Sequence, residues 1–332
     1  MSISIKEIAQ ALNLSKATVS WVLSGQGEAK RVSEARIKQV QQYAEKVNYR
    51  PNHLARSLST GITNTIGLII PSIGDTFFAQ MAQAIEYEAE KHDYVLTICS
   101  SRGNGDRETQ LIQMLRDKQV DGLIIVPSEK TLTGINLLLK DNFPFVLTDR
   151  YFPQYKTNYI IVDDTVGCYR LTESLIHKGC RKVAYITTDT HLRVMELRYN
   201  GYINALKDNN LIFNENLCVE MEKSNYLKEI DKKIGTLLED VSDIDGIVFS
   251  THYLAIGVIH YLEQRKIPYR NQIQMASFHS NTALEILVPN IAIARIPIEE
   301  MGINAVDTLL YNIKNPEAEK KEMTLEIMYE RL

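Results

Sequence analysis

Ser4-Ile-Lys-Glu-Ile-Ala-Gln-Ala-Leu-Asn-Leu-Ser-Lys-Ala-Thr-Val-Ser-Trp-Val-Leu-Ser-Gly25 reads as two short helices around a tight turn. Ile5, Ile8, Ala9 and Leu12 fall at i, i+3, i+4 and i+7, one apolar stripe of a 3.6-residue period. Asn13 and Leu14 interrupt the stripe, and Ser15 is a good N-cap for a second helix. In that helix Val19, Val22 and Leu23 make the inward stripe, and Lys16, Ala17, Ser20 and Trp21 make the outward face. A cation, a small residue, a hydroxyl and an aromatic suit the major groove of DNA, where bases present donors, acceptors and the thymine methyl. Two helices joined this way form a helix-turn-helix, whose second helix enters that groove. The same pattern also fits half of an ordinary helical bundle.

Outward from this stretch, Gly25 to Lys30 is a glycine-containing loop and Ser33 is placed to cap a third helix. Ile37, Val40, Ala44 and Val47 face inward along it, which closes an all-α head over residues 1–50. Pro51 stops that helix, and Asn52 can cap a short one from His53 to about Thr60, too short to be stable alone. The charge is asymmetric: residues 1–60 hold nine Lys/Arg and four Asp/Glu, while the remainder holds 28 and 37. A basic head on an acidic body fits one end that faces nucleic acid, with phosphates supplying the sequence-independent affinity.

From Thr63 onward the texture changes. Ile66–Ile70, Val95–Ile98, Gly122–Val126, Phe145–Leu147, Val183–Ile186, Gly246–Phe249 and Ile273–Phe278 read as buried strands. Amphipathic helices alternate with them near 78–92, 106–118, 131–142, 165–178, 194–209, 226–241 and 254–265. This alternation predicts a doubly wound α/β body with parallel sheets. About 270 such residues exceed one common sheet, so two similar subdomains with a cleft between them are expected, with ligands at the carboxyl ends of strands. No apolar run has the length of a membrane helix, and the N-terminus carries no export signal, so a cytoplasmic protein is expected. Cys99, Cys168, Cys180 and Cys218 have no Cys-x-x-Cys spacing and are expected to be buried thiols.

Four pieces of the head carry a resemblance: Ile5-Lys6-Glu7-Ile8-Ala9, Leu14-Ser15-Lys16-Ala17-Thr18-Val19-Ser20, Val47-Asn48-Tyr49-Arg50-Pro51-Asn52 and Leu54-Ala55-Arg56-Ser57-Leu58. In order and spacing they resemble the DNA-binding head of the lactose/galactose-repressor (LacI) family. The resemblance continues through Phe77-Phe78-Ala79, Asp149-Arg150, Asp163-Asp164, Gly179-Cys180-Arg181-Lys182, Arg198, Gly201-Tyr202 and Glu300-Met301-Gly302. It implies a hinge helix at 51–61 and a periplasmic-binding-protein-like core at 62–332. The implied N-subdomain spans about 62–162 and 292–322, and the C-subdomain about 163–291 and 323–332, with crossings near 162, 291 and 323. A strand at Leu325–Tyr329 ends the fold. No leucine heptad follows it, and a homodimer is expected.

The family also implies roles. Lys16, Ala17 and Trp21 take base-reading positions. Ser15, Thr18, Ser20, Tyr49 and Asn52 take phosphate positions, and Ala55 and Leu58 minor-groove positions, Leu58 as a wedge that kinks the duplex. Leu54 and Leu58 can alternatively pack against the body. Trp21 stands where most members have arginine, so the operator should differ from the usual one; Trp21 can alternatively pack against Tyr43 or a neighbouring helix. In the cleft, Phe77 and Phe78 match the pair that covers the ligand, and Arg198 matches the effector-binding arginine, whose planar fork suits hydroxyls, carboxylates or phosphates. Asp149 matches a hydroxyl acceptor, or it forms an ion pair with Arg150 or Arg181.

Two departures bear on the effector. Thr251-His252 stands where sugar-responsive members have Asn-Asp, and His279-Ser280 where they have Asp-Asp. The exchange makes the pocket less acidic and favours an anionic effector, a sugar phosphate or other acidic metabolite; with the histidines at the rim, a neutral sugar remains open. No Gly-x-Ser-x-Gly, Walker-type loop or His-Glu-x-x-His occurs, and Gly103-Asn104-Gly105 alone is weak evidence for phosphate binding. No third ligand accompanies the two histidines. No enzyme, metal or cofactor is therefore expected. The expected function is a sequence-specific transcriptional regulator, a repressor of carbohydrate or related metabolic genes, controlled by a small molecule in the cleft. Control by a protein partner, or a plain solute-binding protein, are the alternatives. The sequence names neither effector nor operator.

Overall fold

The computed structural model describes residues 3–49, 61–128, 132–241, 243–270 and 272–332, and it divides into two compact units between Thr63 and Asn64. In the first unit, the helix Ile5–Ala11 starts with a capping box. Ser4 Oγ accepts from the Glu7 N–H at 3.3 Å, and Glu7 Oε2 accepts from the Ser4 N–H at 2.7 Å. Asn13 makes the turn with φ 52°, which asparagine tolerates, and the Leu14 N–H returns to the Ala9 carbonyl at 2.9 Å. The helix Lys16–Leu23 follows, with Ser15 Oγ accepting from the Thr18 N–H at 3.0 Å. Ser33 precedes the helix Glu34–Lys46, but its hydroxyl makes no capping bond. Ile8, Val19 and Val40 are fully buried at the centre of this small core. The expected short helix, with Asn52, Leu54, Ala55 and Leu58, lies outside the described residues.

The second unit contains twelve strands among its described residues: β1 Thr65–Ile70, β2 Val95–Ser100, β3 Gly122–Ile125, β4 Phe145–Thr148, β5 Tyr159–Val162, β6 Val183–Thr188, β7 Cys218–Met221, β8 Gly246–Phe249, β9 Gln274–Phe278, β10 Ala292–Arg295, β11 Glu322–Leu325 and β12 Met328–Glu330. They form two six-stranded sheets, β11-β5-β4-β3-β1-β2 and β12-β10-β9-β8-β6-β7. The second order repeats the first, strand for strand. We call the two layers the N-half and the C-half. Each central strand is buried on both faces, which explains the continuous apolar runs.

Three expectations change. The crossings expected near 291 and 323 fall after Arg295 and after Leu325, because β10 belongs to the C-half sheet and β11 to the N-half sheet. The single strand expected at Leu325–Tyr329 is two short strands in different sheets, and β12 runs antiparallel to β10. An apolar alternation is the same whichever sheet supplies the hydrogen bonds, so sequence could not separate them. Finally, β2 is an edge strand with one neighbour, leaving Val95 66% exposed rather than buried. Strands β5, β7 and β10 and the helices Thr282–Leu287 and Ile298–Lys314 were not anticipated as elements.

Several of the quoted landmarks are packing devices. A Cβ on Gly201 would collide with the Thr165 carbonyl, so glycine is what lets the helices Asp164–His177 and Arg193–Asp208 touch. Tyr202 Oη donates to the Val183 carbonyl at 2.8 Å, tying the second of these helices to β6. Asp163 caps the first, accepting from the Val166 N–H at 2.9 Å. No helix among the described residues is long and apolar enough to cross a membrane.

Candidate functional site: a nucleic-acid face and a ligand cleft

On the head, Lys16, Ala17 and Trp21 are exposed on the outward side of the Lys16–Leu23 helix. Trp21 stays out of the core at 37% exposure, with Lys30 Nζ 5.9 Å from its ring centroid. An indole flanked by an ammonium is a contact surface for a polyanion. The Ser15 and Thr18 hydroxyls bond to one another at 2.8 Å beside the free N–H groups of the helix start, where anions are favoured. Ser20 and Tyr49 are half-buried, and burial raises the Tyr49 phenol above its ordinary pKa. Asn52, Ala55 and Leu58 are outside the described residues.

In the body, the seven residues Phe77, Phe78, Asp149, Arg198, Thr251, His252 and His279 line one cavity between the halves. Asp149, Thr251 and His279 lie in loops at the carboxyl ends of strands, and Phe77, Phe78, Arg198 and His252 lie on the helices that follow strands, as expected for an open α/β sheet. The cavity is about 60 Å³, well below the roughly 300–1,000 Å³ of a typical small-molecule pocket.

Arg198 is fixed. Its Nε donates to Asp164 Oδ1 at 2.7 Å, its Nη1 donates to the Ser250 carbonyl at 2.8 Å, and the Phe278 ring lies 3.8 Å from its Cζ. Burial pushes the Asp164 carboxyl up to about 6, against the opposing pull of Arg198, so the pair is ionised at neutral pH. Asp149 lies 3.4 Å from Arg150 Nε, which settles the choice between Arg150 and Arg181 as its neighbour, since Arg181 donates instead to the Ile176 and Cys180 carbonyls. Burial also raises the Asp149 carboxyl above the usual range, with Arg150 pulling against it.

The histidines make the pocket less acidic by replacing acids, and they add no positive charge of their own. Burial pushes His279 down to about 3, aided by His252 and Arg295, and burial lowers His252 as well. Both are neutral imidazoles at neutral pH, and His279 Nδ1 is buried without a hydrogen-bond partner. Thr251 Oγ1, buried beside them, lacks one too.

Sequence reading missed Asp75, Asp189 and Lys223, which line the same cavity. They follow β1, β6 and β7, so the rule that strand ends build the site would have found them. Outside the cleft, Glu88, His92 and Asp307 bring three metal-ligand atoms within 4.8 Å of one another. Lys91 Nζ already pairs with Glu88 Oε2 at 2.7 Å, and we read the group as an ion-pair cluster joining two helices.

Two family models divide the chain. Residues 4–52 match the bacterial regulatory proteins of the lacI family. Residues 63–329 match the periplasmic binding proteins and sugar binding domain of the LacI family. The chain belongs to the LacI family. It is a DNA-binding transcriptional regulator and not an enzyme. Among its LacI-family relatives, the ribose operon repressor of Haemophilus influenzae is 28% identical over 323 residues, 97% of this chain and 96% of that protein. A solved complex of the transcriptional regulator CelR with cellobiose shares the fold with a TM-score of 0.73 and 19% identity, over 99% of this chain and 98% of that one. Cra of Pseudomonas putida in complex with fructose 1-phosphate does so with a TM-score of 0.70 and 22% identity, over 80% of this chain and 98% of that one.

Proposed function

We propose that this regulator is a cytoplasmic homodimeric repressor of carbohydrate genes, whose effector is a polyhydroxylated, uncharged ligand held in the cleft. The observation that carries this reading is the charge balance of the cavity lining. Asp75, Asp149 and Asp189 face Arg150 and Lys223 in the lining, Arg198 is already matched by Asp164, and both histidines are neutral. Carboxylates accept hydroxyl protons and the cations donate to ring and hydroxyl oxygens, which suits a sugar better than a net anion. Phe77, Phe78 and Phe278 supply the apolar faces that cover a sugar ring. A relative named as a ribose operon repressor and solved structures in complex with cellobiose and with fructose 1-phosphate support the sugar class. The last ligand is a phosphate ester, so the uncharged reading rests on this chain's own lining.

At the DNA end, Lys16, Ala17 and Trp21 read bases, while Ser15, Thr18, Ser20, Tyr49 and Asn52 hold phosphates. Ala55 and Leu58 contact the minor groove. Effector binding biases the relative pose of the two halves, and that bias is the coupling free energy passed to the operator. The test is thermal unfolding of the full chain against neutral sugars and their phosphates. A sugar at a hundred times its dissociation constant stabilises the body by about 2.7 kcal/mol, and its neutral form outperforms its phosphate. A response confined to phosphates or other anions overturns the uncharged reading. Operator selection from random duplex DNA, run on wild type and Trp21→Arg, checks the head: the variant gains guanine at one position in each half-site.

A further inference from the structure

Four consecutive residues of the N-half, at the start of the helix Thr76–Lys91, reach across the cavity to the C-half. Asp75 Oδ2 accepts from Lys223 Nζ at 3.2 Å. Thr76 Oγ1 and His252 Nε2 share a hydrogen bond at 3.0 Å. Phe77 meets the His279 ring edge-on, 5.3 Å between centroids. Lys223 Nζ stands 5.9 Å from the Phe78 ring and 5.4 Å from that of Tyr253. The three C-half partners come from three different segments, those that follow β7, β8 and β9.

The N-half turn is built to hold this position. Asp75 is the N-cap of its helix, and its Oδ1 accepts the Phe77 N–H at 3.1 Å. One carboxylate oxygen is thus spent on fixing the side chain, and the other is aimed at Lys223. The ammonium, in turn, is drawn to the aromatic rings on either side of it. The cavity between the halves is small, and parting them to widen it breaks all of these contacts together. They are therefore a cooperative unit, each contact keeping the others in register.

We propose that the turn 75–78 and Lys223 form a latch that holds the cleft shut without a ligand. Its regulatory meaning rests on the reading of the cleft as the effector site: an effector must compete with the latch, and its apparent affinity falls by the fraction of molecules that are open. The latch itself is a property of the chain alone, and so is its test.

Amide hydrogen exchange of the full-length protein, without added ligand, compares wild type with Lys223→Met, Thr76→Val and the double variant. Lys223 is partly exposed and Thr76 is the first residue of its helix, so each variant is expected to keep its cooperative melt. Amides 77–79 and 252–255 exchange three- to tenfold faster in either single variant and faster still in the double, while the β3 and β8 amides keep their wild-type rates. Should Lys223→Met fail to fold, Thr76→Val carries the test alone. Exchange within 1.5-fold of wild type at both segments in the folded variants overturns the latch. That result leaves the effector reading untouched, and a failure of sugars to bind leaves the latch untouched.

Discussion

β4 and β9 hold the same place in their two sheets, and each is followed directly by a residue with left-handed backbone: Asp149 at φ 64° and His279 at φ 63°. Both residues point chemistry at the same cavity. What they carry differs. The N-half presents an acid held beside Arg150, whereas the C-half presents a neutral imidazole near an arginine that is locked to its own buried acid. The fold has been used twice with the same backbone solution, and the site's asymmetry comes entirely from side chains.

The largest expected effect tests the two arginines. Arg198→Ala leaves Asp164 buried without its partner and lowers stability by about 3–5 kcal/mol. Arg150 sits at 3.4 Å from Asp149 with no hydrogen bond from its Nε, so Arg150→Ala costs less than half as much. Urea unfolding of both variants measures the difference, and equal losses would mean that the two halves anchor their cations alike.

The second prediction concerns pH, where the halves oppose one another. Burial pushes the N-half residue Glu108 up to about 7, with the Ser128 N–H pulling the other way. The folded state therefore holds a proton that the unfolded chain has released, and this contribution to stability is lost as pH rises from 4.5 to about 7. His279 has the opposite sign: the unfolded chain takes up a proton that the folded state refuses, so stability is lost as pH falls from 6.5 towards about 3. Glu108→Gln should gain on wild type as pH rises through the first window, by up to about 3 kcal/mol. His279→Gln should gain as pH falls through the second. Chemical unfolding at pH 4.5, 6 and 7.5 reads both slopes, and parallel slopes would erase the contrast.

The smallest effect addresses what the halves share. At both 149 and 279, glycine should be more stable than alanine by about 1 kcal/mol, because neither keeps the native side chain and the difference isolates the left-handed backbone. A preference at one position alone would show that the two strand ends are not equivalent.

Much of this was legible in the chain. The stripe Ile5, Ile8, Ala9 and Leu12, the cap at Ser15 and the outward face ending in Trp21 are local, so 3.6-residue periodicity and capping chemistry were enough to place them. The central strands declared themselves as buried apolar runs, and the seven cleft residues named from a family pattern meet in one cavity. What escaped was non-local. Glu326 and Ile327 separate two strands that look like one, because the choice of sheet depends on hydrogen-bond partners far back in the chain, β5 for one strand and β10 for the other. Lys223 is an ordinary surface lysine until the halves close and bring it to Asp75, 148 residues away in the chain. His252 and His279 were legible as imidazoles in place of acids, but only burial decides that both stay neutral. Sequence alone determined the helix-turn-helix and the central buried strands with their intervening helices, since those follow from short-range period and turn chemistry. Tertiary structure decided which groups carry charge and which are paired, since desolvation and Coulomb attraction act through space.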